Sequence, residues 1–285
     1  MAAPDPGPWS PPKDEELTWF RDGKLLPTPR PLEYTLEVYA LVFGLTYALE
    51  SLEFPLYALR SRLHNGRLYL AVVPSAMAER NLSHRMQSIR DQSFRFTRNV
   101  YGAWERQVKP EVEGYNRWFE ETASFRGPVS EFAERFCKLR RVRGDQWYAT
   151  IRGVVAPTAM LHAGIVDSPS DAVVKAETAL GEALEVVKER GGTLVYQVLG
   201  DVGKRLASNG SIAKAEDIVW LEWRELQKDL EGGNDRVGLV AARKAENENL
   251  LRSGTPGQMG PELPLTVPRM YLVREVLDLL TATKP

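Results

Sequence analysis

A chain of 285 residues and 32.1 kDa is long enough to bury a full core in one large domain or two small ones. Its 37 Lys and Arg against 38 Asp and Glu exclude the basic excess of a general nucleic-acid or membrane binder. The single cysteine, Cys137, excludes an internal disulfide or cysteine-built zinc site, and three histidines leave little to build any other zinc site from.

The first 26 residues are rich in proline and polar side chains. With no basic start and no apolar core they are not a signal peptide, and they read as a flexible, polyproline-like arm. Leu32 to Leu52 is apolar on most faces and predicts a central, largely buried helix, too short and too interrupted to span a bilayer. Asn65-Gly66 is a hairpin signal, with short strands expected at Ser61–Leu63 and Arg67–Val73. Pro74-Ser75 predicts a long helix through about Trp104, and Pro110 opens another through Phe119, stopped by Gly127-Pro128. A helix capped near Ser130 should run past Trp147 towards His162, with a kink at Pro157. Residues 164–171 are small and polar and form the best internal boundary. A helix from Ala172 to Glu189 should stop at Gly191-Gly192, with a new one starting at Thr193.

The stretch Gly203 to Leu226 is the densest in signals. Leu199, Val202 and Leu206 recur at helical spacing, Gly210 suits the left-handed residue just past a helix end, and Asp217–Leu221 has strand-like composition before a helix from Trp223. After Arg252 a Gly/Pro loop leads to an amphipathic helix expected over Arg269–Leu280. The chain therefore divides into an arm (1–26), a helical domain (27–253) and a loop plus helix (254–285). The fold class is mostly α, a multi-helix domain with a few short strands, and the whole reads as a soluble cytoplasmic protein.

No phosphate-binding Gly-x-x-x-x-Gly-Lys-Ser/Thr loop is present, and Gly254-x-x-Gly257-x-x-Gly260 has no strand before it. A Gly-x-Ser-x-Gly elbow and a His-Glu-x-x-His helix are also missing. Cys137, beside Phe136 and Leu139, reads as a buried structural thiol rather than a nucleophile.

The wording of residues 203–226 resembles the central, substrate-binding segment of phosphoenolpyruvate synthase-like dikinases, among them rifampicin phosphotransferase, phenylphosphate synthase and alkylphenol-phosphorylating synthases. The matching places are Gly203, Lys204, Arg205, Leu206, Gly210, Glu216, Asp217, Leu221, Glu225 and Leu226. Val237 to Glu246, with Arg243, is similar to the Val-x-x-Arg-x-Ala-Glu helix that closes the segment. Pro27-Thr28-Pro29 with Leu32-Glu33-Tyr34 is similar to its Pro-Leu-Thr-Pro entry. Weaker matches are Trp104-Glu105, Lys109-Pro110-Glu111-Val112 and Trp147 to Ile151. The resemblance spans roughly 27–250 and is dense over 196–246, but the family's segment is longer, and material expected between about 163 and 180 is mostly absent.

What the resemblance implies is a stand-alone substrate-binding subunit of a heteromeric dikinase. ATP and magnesium are expected on a partner subunit that also carries the swivelling, phosphorylated histidine, with no cofactor on this chain. The acceptor is expected to be a small hydroxyl compound, best a phenol or alkylphenol. A non-enzymatic helical scaffold or regulatory protein that retains the fold is the alternative.

Phosphoryl transfer needs in-line positioning, positive charge and a proton acceptor. His162 is the first candidate for the base, at the end of an apolar helix, although a helix-capping role beside Gly164 is the commoner use of a histidine there. Arg152 is the candidate phosphate contact, and Trp147, Tyr148, Phe119, Phe43 and Met160 are candidate pocket residues. Two arginine clusters, 80–98 and 135–152, suit either phosphate or a solvated helix face.

Overall fold

The computed structural model describes residues 13–22, 26–52, 56–74, 91, 97–127, 129–164, 169–231, 234–261 and 276. Helices dominate, with a small antiparallel sheet against one side. Four long helices cover residues 31–51 (α1), 100–123 (α2), 129–162 (α3) and 170–208 (α4). Two shorter ones follow, Trp223–Glu231 (α5) and Val237–Arg252 (α6). Strands Trp19–Arg21 (β1), Leu56–His64 (β2), Arg67–Pro74 (β3) and Gln258–Met259 (β4) pair in the order β2-β3-β1-β4.

Each long helix contains a π-helical turn: Tyr34–Val38, Trp104–Val108, Ile151–Val155 and Glu185–Gly191. Two have a plain cause. Proline has no N–H and its ring collides with the carbonyl four residues earlier. For Pro110 and Pro157 those carbonyls belong to Arg106 and Gly153, both within π turns, so the wider turn takes up the collision without ending the helix. Pro110 therefore does not open a helix, as the sequence suggests. That helix begins at Val100, where Asn99 Oδ1 accepts the Gly102 N–H at 2.8 Å. Of the long helix expected from Pro74-Ser75, most lies outside the described residues, and a turn at Arg98–Asn99 separates it from α2.

Gly191-Gly192 also fails to break the chain. Both residues keep helical φ, near −60°, inside a continuous α4. Their lack of side chains serves packing: a Cβ on Gly191 would stand 2.7 Å from Arg143 Nη1. Elsewhere two further glycines let α1 and α3 touch. A Cβ on Gly44 would meet Trp147 Cβ at 2.6 Å, and one on Gly144 would meet Phe43 Cδ1 at 2.7 Å.

The hairpin forms where expected, with Asn65 at φ 47° and Gly66 at φ 68°, though β2 and β3 are longer than the predicted pieces. Within the described part of the expected arm, residues 13–22, β1 joins the sheet and Trp19 is buried under it with Leu17, Tyr69 and Val73. The 254–261 loop likewise supplies β4, paired with β1. The helix expected over 269–280 lies outside the described residues except for Val276, which is helical and buried. The boundary expected at 164–171 lies partly outside them too.

Two larger apolar clusters fill the bundle. One joins Leu45, Trp104, Trp147, Val155, Met160 and Ala179; the other joins Leu36, Phe119, Phe136, Val198, Leu206 and Trp223. The second is sealed by the turn after α4. Gly210, at φ 79°, follows the helix, Ser211 N–H reaches Leu206 O at 2.9 Å and Gly210 N–H reaches Ala207 O at 3.2 Å, the paired bonds of a Schellman ending. Residues 215–220 then form a 3-10 helix, Ala215–Trp220, and not the predicted strand. A strand would need a hydrogen-bonding neighbour here, whereas a three-residue period puts Ile218 and Leu221 on one side, where both are buried. Gly203 permits this close pass, since a Cβ there would stand 2.3 Å from Ala215 O.

Candidate functional site

The residues singled out from sequence do not converge on one pocket. Trp147 and Met160 are buried in the first cluster and Tyr148 packs against it, while Phe119 lies fully buried in the second. Phe43 sits half-buried between Tyr39 and Tyr47, with Arg141 5.3 Å from its ring. The Arg152 guanidinium lies 5.9 Å from the Tyr148 ring, and its buried Nε has no hydrogen-bond partner among the described residues. His162 ends α3 at the surface, Nε2 3.4 Å from Glu177 Oε1. None of these side chains lines the groove described below. Cys137 is exposed, not buried, with Gln227 Nε2 3.4 Å from its sulfur; it falls on the outward face of α3 between Phe136 and Leu139.

Most of the second arginine cluster is used against aromatic rings: Arg135 on Phe125, Arg140 on Tyr39, Arg141 on Phe43. In the first cluster Arg98 is exposed, and Arg80, Arg85, Arg90 and Arg95 lie outside the described residues, as does His84. His64 ends β2 and packs edge-on to Tyr69.

A groove of about 230 Å³ opens where three distant stretches meet: the 29–31 entry, Trp220 at the end of the 3-10 helix, and α6. The tip of the β2–β3 hairpin closes it with Leu63, Asn65 and Gly66. Thr35 Oγ1 holds the entry to α5 by accepting the Trp223 N–H at 3.0 Å. On α6, Arg243 forms a fork on Glu225, with Nη2–Oε1 at 3.0 Å and Nη1 on the second oxygen, and Nη1 also donates to Trp220 O at 2.8 Å. Burial alone would push the Glu225 carboxyl up, but the Arg243 fork and the Glu222 N–H outweigh it and hold it below the usual glutamate value. Lys244 pairs with the buried Asp217. The guanidinium is therefore committed, and the groove keeps an apolar floor of Pro29, Trp220 and Leu250 beside the exposed Glu246 and the half-buried Asn247. Glu246 has no ion pair among the described residues.

A second polar centre is buried between the apolar clusters. Arg143, with its side chain 3% exposed, donates from Nε to Glu37 Oε2 at 3.1 Å and from Nη1 to Gln146 and to Val187 O, the latter at 2.9 Å. Gln146 Nε2 donates to Asn116 Oδ1 at 2.8 Å. Glu37 and Val187 both lie in π turns, so the helix irregularities supply the carboxylate and the carbonyl that Arg143 needs. Glu37 Oε1 and Asn116 Nδ2 are buried without partners among the described residues. Glu37, Asn116 and Gln146 were missed from sequence. The available signal was a lone acidic residue amid Leu36, Val38, Ala40 and Leu41, and an Arg143/Gln146 pair three residues apart on a helix.

Among the described residues no group of three or more His, Cys, Asp and Glu is placed to hold a metal ion, and no helix is long and apolar enough to cross a membrane. Comparison with protein-family models, curated proteins and solved structures gives no match.

Proposed function

We propose that this chain is the acceptor-binding subunit of a dikinase, and that the groove between Pro29, Trp220 and α6 holds a small hydroxyl compound of the phenol or alkylphenol class. The observation behind this reading is convergence. Two parts of the chain that carry the resemblance, the entry around Pro29 and the dense stretch that holds Trp220 and Arg243–Glu246, are far apart in sequence and border one groove. An aromatic ring fits an apolar floor of proline, tryptophan and leucine, and its hydroxyl would meet the polar rim of Glu246 and Asn247.

In this reading a partner chain uses ATP and magnesium to phosphorylate its own histidine and presents that group to the groove. The acceptor oxygen attacks phosphorus, the P–N bond to the partner's histidine breaks, and the hydroxyl proton passes to Glu246. His162 and Arg152 do not line the groove, so the groove-based mechanism assigns them no step. Titrating the isolated chain with 4-alkylphenol tests the site. The Trp220 indole and the Asn65 and Asn247 side-chain amide signals should shift saturably, and Trp220→Ala should abolish the response while leaving the circular dichroism melt in place. Shifts confined to other parts of the chain would refute this groove as the acceptor site.

One observation favours the alternative, a non-enzymatic scaffold: Gly203, Asp217, Glu225 and Arg243, all shared with the family, are engaged in fastening the fold. A chain that binds the dikinase partner but no phenol or other small hydroxyl compound would support that reading.

A further inference from the structure

From Tyr39 onward α1 turns an aromatic face to solvent. Tyr39 and Tyr47 are 43% and 51% exposed, and Phe43 between them is half-buried. Their spacing of four residues sets the rings along one stripe, with centroids 6.2 Å apart for Tyr39 and Phe43 and 4.5 Å for Phe43 and Tyr47. Gly144 on α3 makes room for the stripe, because a side chain there would occupy the place of the Phe43 ring. A surface helix normally turns charged residues outward, and a continuous run of exposed rings marks an interaction surface.

The stripe has a charge at each end. Glu50, exposed in the last turn of α1, comes three helical turns after Tyr39, so it falls on the same face about 16 Å along. At the other end Arg140 lays its guanidinium 3.9 Å from the centre of the Tyr39 ring. Neither Arg140 nor Glu50 makes an ion pair among the described residues. Arg141, the cation beside Phe43, is already matched by Asp145 at 3.0 Å. The stripe therefore runs from an unmatched cation through three rings to an unmatched anion, and carries no net charge.

We propose that this stripe is the contact between two copies of the chain, packed with their α1 helices antiparallel about a two-fold axis. Such an axis makes a surface meet itself, so the cation at one end of each stripe comes to the anion at the opposite end of the other. Arg140 and Glu50 then pair twice, and Phe43 of each copy faces Tyr47 of the second. A parallel arrangement would set like charge on like charge at both ends, and an acidic partner would be repelled at Glu50. Tyrosine and arginine are also the side chains that most often carry the energy of a protein–protein contact. No residue of the acceptor groove takes part, so dimerisation stands or falls independently of the dikinase reading.

Sedimentation equilibrium of the full chain, loaded at about 1–100 µM, should show the mass rising from 32.1 kDa towards twice that value. Tyr47→Ser removes an exposed ring and should weaken association about tenfold or more. Glu50→Arg sets like charges together at both ends and should leave the chain monomeric; arginine suits the last turn of a helix, so the fold is kept. Arg140→Glu should have the same effect. Mixing the two monomeric variants restores opposite charges at both ends, so a heterodimer should form in the wild-type concentration range. A chain that stays at 32.1 kDa throughout overturns the proposal. So does a dimer that Tyr47→Ser and Glu50→Arg leave at wild-type affinity, which would place the contact elsewhere; those two exposed positions decide the matter if Arg140→Glu does not fold. Failure of the two folded charge variants to associate on mixing refutes the antiparallel pairing.

Discussion

Replacing Arg143 with methionine keeps the length and apolar stem of the side chain but removes the cation paired with Glu37. The pair is buried, with side chains 3% and 12% exposed and 3.1 Å apart, so the remaining carboxylate would be left uncompensated. Breaking a buried pair in this way costs about 3–5 kcal/mol. The Val187 carbonyl and the Gln146 amide oxygen lose a donor as well, and each unsatisfied group adds about 1 kcal/mol or more. A destabilisation of about 5–7 kcal/mol is expected, a large part of the roughly 5–15 kcal/mol that holds a domain together. Removing both charges should be far milder, because apolar replacements of a buried pair are often neutral. Urea denaturation of wild type, Glu37→Leu, Arg143→Met and the double variant gives a cycle whose coupling energy should be at least about 3 kcal/mol, because the double variant should cost less than Arg143→Met alone. Single-variant losses below about 1 kcal/mol with an additive double variant would show that the pair is solvated, and the buried centre described above would be wrong.

Gly203→Ala forces a methyl group against the Ala215 carbonyl and should cost about 1–3 kcal/mol, while Gly200→Ala, in the same helix with nothing within 4 Å, should stabilise by about 0.5–1 kcal/mol; equal effects in thermal melts would refute the close pass of the 3-10 helix. Glu225 is held below its unfolded value, so its contribution is present above about pH 4.3 and is lost as pH falls through the folded value. Glu225→Gln should therefore flatten the acid limb of a stability–pH profile measured in urea, and an unchanged limb would argue against the Arg243 fork. Pro157→Ala should leave the π turn without its cause, and hydrogen exchange should show protection of the backbone amide that the substitution creates; an unprotected amide would mean that the turn is set by packing instead.

The helical class, the Asn65-Gly66 hairpin and the Gly210 ending were legible because each rests on local chemistry. Positive φ favours glycine and asparagine, and a helix end must satisfy its last carbonyls wherever it lies. The misreadings share another cause. Gly191-Gly192 and Pro110 are breakers by propensity, but a π turn within the helix absorbs the proline, and the guanidinium that packs against the glycine comes from a helix distant in sequence. Asp217–Leu221 carries strand composition, yet its burial against α4 selects a 3-10 turn. In the site, Arg143 was visible as one arginine among five, marked off only by Gln146 three residues on, and the Glu37 that it faces lies on a different helix. Glu246 and Trp220 lay inside stretches already noted for their resemblance, but the hairpin and entry residues that complete their groove come from the opposite end of the chain.

Formation of an aryl phosphate, followed by phosphorus NMR, is the most direct test of the acceptor-subunit reading. A partner carrying phosphohistidine would be mixed with a 4-alkylphenol, with and without this chain. Transfer to the phenol should require this chain and should fall about 100-fold with Glu246→Gln, the variant chain still folding and binding the partner. Transfer that proceeds equally well without this chain, or that never occurs with it present, would contradict the account.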